Sequence, residues 1–100
     1  MSVGFSPRAR RDLREAVLWI AADNPLAAQG LRDAIRIAGA QIGAHPNVGR
    51  HRPDLADEDY RFLTLTGFPY VMVYNTKFRP PLVVRVLHMA RDLPNTLNDL

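Results

Sequence analysis

The sequence of 100 residues contains no cysteine, so it can form neither a disulfide nor a thiolate metal site. Its longest apolar run, Ala16 to Ala22, is far shorter than the roughly 20 residues that a membrane-spanning helix needs. The first residues lack the basic and then apolar layout of a signal peptide. These absences favour a reducing compartment, and we expect a cytoplasmic protein that does not associate with membranes.

Lysine is almost absent from the sequence. Lys77 is the single lysine among 13 cationic residues, and the other 12 are arginines. The formal net charge is only +3. Because the planar guanidinium group pairs with both phosphates and carboxylates, an arginine bias is compatible with nucleic acid and equally with an acidic protein partner.

Several kinds of reactive site are also missing. The sequence has no glycine-rich phosphate loop and no carboxylate pair in a recognisable catalytic setting. Its three histidines, His45, His51 and His88, are not spaced as a ligand pair on one element. The only serines are Ser2 and Ser6, and neither has a suitable partner nearby in the sequence. We therefore expect no metal and no cofactor.

Two start signals predict two consecutive helices, over residues 7–23 and 25–43. Ser6-Pro7 and Asn24-Pro25 each combine a capping side chain with a proline suited to the first helical position. The predicted apolar faces contain Ala9, Leu13, Ala16, Val17 and Ile20 in the first helix, and Ala28, Leu31, Ala34, Ile35, Ala38 and Ile42 in the second. The link is very short, so the two helices form an antiparallel hairpin.

The remaining apolar segments have the composition of β-strands. The predicted strands are Val3–Phe5, Tyr60–Thr66, Tyr70–Tyr74 and a last strand from Leu82 towards an Arg91-Asp92 corner. The order β-α-α-β-β-β predicts an α+β fold in one domain, 1–100, whose antiparallel sheet is covered on one face by the helical hairpin. We expect the other face to be incompletely covered, with Tyr74 and Arg85 partly exposed or covered by a partner.

One candidate site lies on the first helix. Leu18 and Trp19 point away from its apolar stripe. Together with the nearby Arg11 and Arg14, they indicate a surface for another polypeptide chain. The alternative is that the two apolar residues pack under another element and the arginines form a solvated helix face.

A second candidate site combines His88 and Arg91, with Arg61 close by if the first and last strands of the meander approach each other. A histidine and several cations, Arg79 among them, could cleave RNA by proton transfer and charge stabilisation. The alternative is a packed strand histidine and an Arg91–Asp92 pair that holds the exit of the strand. No tyrosine or lysine follows Arg91, so a second proton-transfer group is missing there.

Four segments together resemble the ParE branch of the RelE/ParE superfamily, the toxins of bacterial toxin–antitoxin modules. The segments are Ser6-Pro7-Arg8-Ala9 with Asp12-Leu13, then Asn24-Pro25, then Gly67-Phe68-Pro69-Tyr70-Val71, and finally Val86-Leu87-His88-Met89-Ala90-Arg91-Asp92. They occur in the family's order and span nearly the whole chain. The resemblance implies a compact α+β toxin in a hetero-oligomer with a cognate antitoxin, with a role in plasmid stabilisation.

The resemblance also implies where partners bind. Family antitoxins wrap around the helical hairpin and the sheet edge, which suits Leu18, Trp19, Arg11 and Arg14. The ParE branch poisons DNA gyrase without being an enzyme, and we expect Arg91, Asp92 and Arg79 to contact the target, with no sequence-specific binding to nucleic acid. One alternative is a RelE-like ribosome-dependent mRNA endoribonuclease using His88, Arg61 and Arg91. Another is a non-toxic module that only binds an antitoxin.

Overall fold

A computed structural model describes residues 3–92 of the chain. Its elements are β1 (Gly4–Phe5), α1 (Pro7–Ala21), α2 (Pro25–Ala44), β2 (Tyr60–Thr64), β3 (Tyr70–Asn75) and β4 (Leu82–His88). The predicted order of elements is confirmed. Residues 93–100, which follow the predicted Arg91-Asp92 corner, lie outside the described residues.

Both predicted helix starts are confirmed by their caps. The Ser6 hydroxyl accepts the Ala9 N–H at 3.0 Å, and the Asn24 side chain accepts the Ala27 N–H at 3.1 Å. Helix α1 ends two residues earlier than predicted, because the chain tightens there and the Asp23 N–H donates to the Ile20 carbonyl three residues back at 3.2 Å. Neither helix in residues 3–92 is long and apolar enough to cross a membrane.

The four strands form one sheet in the order β1-β4-β3-β2. The pairs β2–β3 and β3–β4 are antiparallel as predicted, whereas β1 pairs with β4 in parallel, so the sheet is mixed. The Ser6 N–H and hydroxyl extend this edge by donating to the carbonyls of Val83 and Val84 at 2.9 and 3.0 Å. The parallel direction of β1 was not predicted, because a strand of two residues carries no sequence signal for its direction.

The connection between β2 and β3 contains Gly67, Phe68 and Pro69. Gly67 has φ of +84°, a left-handed conformation that glycine adopts without the steric penalty of a Cβ atom. The Leu65 N–H donates to the Tyr70 carbonyl at 3.0 Å and closes the connection.

The main core lies between the helical hairpin and one face of the sheet. Its fully buried side chains include Leu31, Ile42, Met72, Tyr74 and Val83. The predicted apolar stripes of both helices supply its helical side, although Leu13, Ile20 and Ala34 are only partly buried. Burial of apolar surface on this one side therefore holds the hairpin against the sheet.

The second face of the sheet is covered by the loop before β2. Its cluster consists of Phe62, Val71, Val73 and Leu87, with Leu55 and Ala56 of the loop packed against it. The expectation that Tyr74 and Arg85 would be partly exposed is wrong. Tyr74 belongs to the helix-side core and is fully buried, and Arg85 is 8% exposed because it pairs with a residue of α1.

Candidate protein-binding site

Besides the apolar packing of its stripe, α1 is joined to the sheet by one carboxylate. Asp12 accepts two hydrogen bonds from the Arg85 guanidinium, at 2.7 and 3.1 Å, and a third from the Val86 N–H at 3.0 Å. The two side chains are only 9% and 12% exposed. Strand β1 ends at Phe5, so Asp12 satisfies a β4 backbone donor that has no strand beside it. This contact and the apolar packing together determine which residues α1 presents on each side.

On one side, α1 and α2 enclose a groove of about 570 Å³. Its apolar lining is Phe5, Leu13, Val17, Leu18 and Ile35, and its cationic lining is Arg10, Arg14, Arg32 and Arg36. We call this the hairpin groove. The arginines are four residues apart on each helix, so each pair lies on one helical face. An apolar floor with a cationic border suits an amphipathic protein segment.

The positive charge of the hairpin groove is largely uncompensated. Arg36 is 3.4 Å from Asp33, and both side chains are exposed, so this pair contributes little. Within residues 3–92, no ion pair joins Arg10, Arg14 or Arg32 to a carboxylate. Four guanidinium groups around an apolar surface therefore favour an occupant with negative charge along its edges.

The structure separates the residues that were predicted to bind the antitoxin. Leu18 is 64% and Trp19 is 70% exposed, so the alternative that they pack under another element does not hold among residues 3–92. Leu18 lines the hairpin groove with Arg14, whereas Trp19 points to the opposite side of α1. Arg11 is exposed and lines neither surface. Their part in binding an antitoxin stays a prediction.

The candidate site predicted from the sequence did not include Arg10, Arg32 or Arg36. The available signal was the repeated spacing of four residues between arginines, at 10 and 14 and again at 32 and 36. That spacing places each pair on one face of its own helix. It does not show that the two faces border the same groove, which depends on how the helices pack.

On the other side of α1 lies a smaller polar cleft of about 340 Å³. Glu15 and Trp19 of α1 face Tyr70, Arg91 and Asp92 across it. We call the segment 88–92 the exit corner, because the chain leaves β4 there. The cleft carries charges of both signs, so it lacks the single-sign character of the hairpin groove.

Hydrogen bonds within the exit corner occupy its polar groups. The Asp92 carboxylate accepts the His88 N–H at 3.0 Å and the Arg91 Nε at 3.1 Å. Burial raises the pKa of Asp92, but these two donors outweigh it, and the net pKa lies below its usual value. Hydrogen bonding to Asp92 raises the pKa of Arg91. The predicted Arg91–Asp92 pair is therefore present at the strand exit.

The His88 ring also closes this turn. Its Nδ1 accepts the N–H groups of Ala90 and Arg91 at 3.2 and 3.1 Å, and its edge packs against the Tyr70 ring with centroids 5.2 Å apart. A nitrogen that accepts carries no proton, so the neutral ring holds its proton on Nε2. In this arrangement, only Nε2 remains for proton transfer.

Arg61 lies far from the exit corner. Strand β3 separates β2 from β4, and Arg61 pairs with Tyr74 whereas His88 pairs with Tyr70. Four residues along β3 correspond to roughly 13 Å. Arg61 instead donates to the carbonyls of Asn47 and Gly49 at 3.2 and 2.7 Å. The structure therefore brings together His88 and Arg91 but not Arg61.

Arg79 is also remote from the exit corner, because it lies in the loop between β3 and β4, at the other end of the sheet. Arg79 therefore does not form a single cluster with Arg91 and Asp92. Among residues 3–92, no three His, Asp or Glu side chains are placed to hold a metal ion.

An α+β domain with an apolar, arginine-bordered groove on its helical hairpin defines a small protein built to bind another chain. The model of the ParE toxin of the type II toxin–antitoxin system parDE matches residues 3–93. The chain belongs to this ParE toxin family, so it is the toxin of a type II toxin–antitoxin module and has an antitoxin as its partner. The predicted resemblance is confirmed.

Two known proteins are similar to the chain. Toxin RelE3 of Caulobacter vibrioides (strain CB 15) is 30% identical over 87 residues, which cover 87% of this chain and 92% of that protein. A solved chain of the chromosomal ParDE TA system from P. aeruginosa has a TM-score of 0.73 at 21% identity, and covers 88% of this chain and 95% of that one. The second similarity confirms the predicted α+β fold.

Proposed function

We propose that the cognate antitoxin neutralises this toxin by placing a helical segment in the hairpin groove. The observation that supports this proposal is the apolar floor bordered by Arg10, Arg14, Arg32 and Arg36. A complementary segment would carry apolar residues on one face and acidic residues along both edges. Trp19, on the opposite side of α1, would contact a continuation of the same chain around the helix.

Charge reversal in the hairpin groove tests this proposal. Arg14→Glu/Arg32→Glu places one acidic residue on each helix, and we expect the Kd for the antitoxin to rise at least about tenfold because opposed charges become like charges. Arg50→Glu is the control, since Arg50 is an exposed arginine outside the groove. Isothermal titration at two salt concentrations measures both. Equal affinities for wild type and the double variant would refute the proposal.

We infer that the target of the free toxin is DNA gyrase. Poisoning of gyrase requires a binding surface and no acid–base machinery in the toxin. Two observations support this choice over nuclease activity: the His88 Nδ1 is engaged by backbone donors, and Arg61 is engaged by the carbonyls of Asn47 and Gly49 at the other end of the sheet.

A supercoiling assay with purified gyrase tests the target. We expect inhibited supercoiling or trapped cleavage complexes, with cellular mRNA intact, when the toxin is produced without its antitoxin. The second candidate is a ribosome-dependent endoribonuclease, favoured by the adjacency of His88 and Arg91 and by the name of the relative, Toxin RelE3. Codon-positioned mRNA cuts that disappear in His88→Ala would establish that activity. Unaffected growth would indicate a non-toxic module that only binds an antitoxin.

A further inference from the structure

The loop between β3 and β4, residues 76–81, is held in place by a single residue of the preceding loop. The Asp59 carbonyl accepts both the N–H and the hydroxyl of Thr76, at 2.8 and 2.9 Å. The Asp59 carboxylate lies 3.1 Å from the Lys77 Nζ. The Lys77 N–H donates to the Asn75 side chain at 2.8 Å. The conformation of this hairpin tip is therefore preorganised.

The segment 46–49, which faces the hairpin tip, is held from the opposite direction. The Tyr74 hydroxyl donates to the Pro46 carbonyl at 2.7 Å and accepts the Gly49 N–H at 2.8 Å. Arg61 binds the Asn47 and Gly49 carbonyls. A Cβ atom on Gly49 would lie 2.7 Å from the Tyr74 hydroxyl, so only glycine fits. The side chains of Tyr74 and Arg61 thus both hold the segment 46–49 in place.

These two fixed segments enclose a groove of about 450 Å³. Its lining includes Pro46, Asn47, Phe78, Arg79, Pro80 and Pro81, and we call it the tip groove. Phe78 is 51% exposed, and within residues 3–92 no carboxylate pairs with Arg79. An exposed aromatic ring beside an unpaired arginine, on a loop anchored at Thr76 and Lys77, has the composition of a binding hot spot.

Charge at the hairpin tip favours a protein occupant over a nucleic acid. Lys77 is paired with Asp59, and Asp57 lies close enough to act on its charge. Asp57 and Glu58 are exposed beside the tip. Binding of a phosphate backbone depends on several cations acting together. Residues 57–79 contain three cations, and two of them have partners: Lys77 pairs with Asp59, and Arg61 binds carbonyls. Within residues 3–92, Arg79 is the one that stays unpaired. A partner surface that presents one carboxylate next to an apolar side chain would complement Arg79 and Phe78.

We propose that the tip groove is the surface through which the toxin binds its protein target, with a target carboxylate on Arg79 and an apolar side chain against Phe78. This inference rests on the proposed toxin function and adds the location of the target contact. Arg36 in the hairpin groove and Gly43 in the tip groove are seven residues apart on α2, which corresponds to roughly 10 Å along the helix axis. The hairpin groove and the tip groove are therefore distinct but neighbouring surfaces.

The test compares Phe78→Ser/Arg79→Glu with Ile37→Ser/Arg50→Glu, which changes an exposed apolar residue and an exposed arginine outside both grooves. We expect the tip variant to need at least tenfold more protein to inhibit supercoiling by purified gyrase and to lose growth arrest in cells. Its Kd for the antitoxin and its melting temperature should equal those of wild type. The control variant should behave as wild type in every measurement.

The outcomes separate this inference from the choice of target. One outcome is that wild type arrests growth without inhibiting gyrase and the tip variant does not arrest growth. This would refute gyrase as the target and support the tip groove as the target-binding surface. If wild type and the tip variant inhibit gyrase equally, the tip groove is refuted as the target-binding surface, whereas gyrase is supported as the target. Weakened antitoxin binding by the tip variant, or binding of a single-stranded RNA oligonucleotide that this variant loses, would also overturn the inference. A wild-type chain that arrests no growth would overturn both proposals.

Discussion

The arginines of the sheet and those of the helical hairpin have opposite surroundings. Arg85 is buried and makes a bidentate pair with Asp12, and Arg61 is half-buried and bound to two carbonyls. The arginines of the hairpin groove, Arg10, Arg14, Arg32 and Arg36, are exposed. A buried guanidinium needs partners to offset its desolvation, whereas an exposed one remains available to another chain. The same residue type thus stabilises the fold in one region and borders an exposed groove in the other.

The largest expected effect is the loss of one partner of the buried pair. Arg85→Met leaves the Asp12 carboxylate buried without its counter-charge, and we expect the free energy of unfolding to fall by about 3–5 kcal/mol. Chemical denaturation followed by circular dichroism measures this change. The double variant Asp12→Leu/Arg85→Met should lose less than the sum of the two single variants, because neither charge is then left alone.

A loss of unfolding free energy below about 1 kcal/mol in Arg85→Met would contradict the distinction between buried and exposed arginines. It would mean that the Asp12–Arg85 pair behaves as a surface ion pair despite exposures of 9% and 12%. Additive effects in the double variant would lead to the same conclusion, since independent residues show no coupling energy.

A smaller difference is expected between Arg61→Met and Arg36→Met. Arg61→Met removes two hydrogen bonds to the carbonyls of Asn47 and Gly49, and we expect a loss of about 1–2 kcal/mol in unfolding free energy. Arg36→Met removes only an exposed pair at 3.4 Å and should change stability by less than about 0.5 kcal/mol. Urea unfolding of both variants checks this order. A larger loss in Arg36→Met than in Arg61→Met would contradict it.

The smallest expected effect concerns the pH dependence of the exit corner. The pKa of Asp92 is lowered in the folded chain, so its contribution is present above the ordinary carboxyl pKa of 3.8 and is lost as the pH falls through the lower folded value. We expect Asp92→Asn to lose less than about 1 kcal/mol at neutral pH. The difference from wild type should shrink between about pH 5 and pH 3.

Thermal melts of wild type and Asp92→Asn across this pH range measure the effect. Asparagine is a suitable replacement because its amide oxygen can still accept the His88 N–H while the charge is absent. A difference that grows as the pH falls would have the wrong sign and would exclude a stabilising carboxylate at this position.

Local signals along the chain were enough to predict the elements and their order. Ser6-Pro7 and Asn24-Pro25 mark helix starts that the structure confirms, since a cap and a first-turn proline act within a few residues of chain. The position of Leu18 and Trp19 off the apolar stripe of α1 also follows from helical periodicity, whereas their exposure was decided by the structure. The parallel direction of β1 could not be predicted, because it depends on where the returning chain places β4.

The sequence by itself determined two capped helices with apolar stripes, a three-strand meander and the family to which the chain belongs, because these depend on spacing within short segments. Only the tertiary structure decided that Arg14 and Arg32 border one groove, that Leu18 and Trp19 face opposite sides of α1, and that Arg61 and His88 lie at opposite ends of the sheet. The physical reason is that a site is formed by residues distant in sequence, and their approach is set by how helices and strands pack.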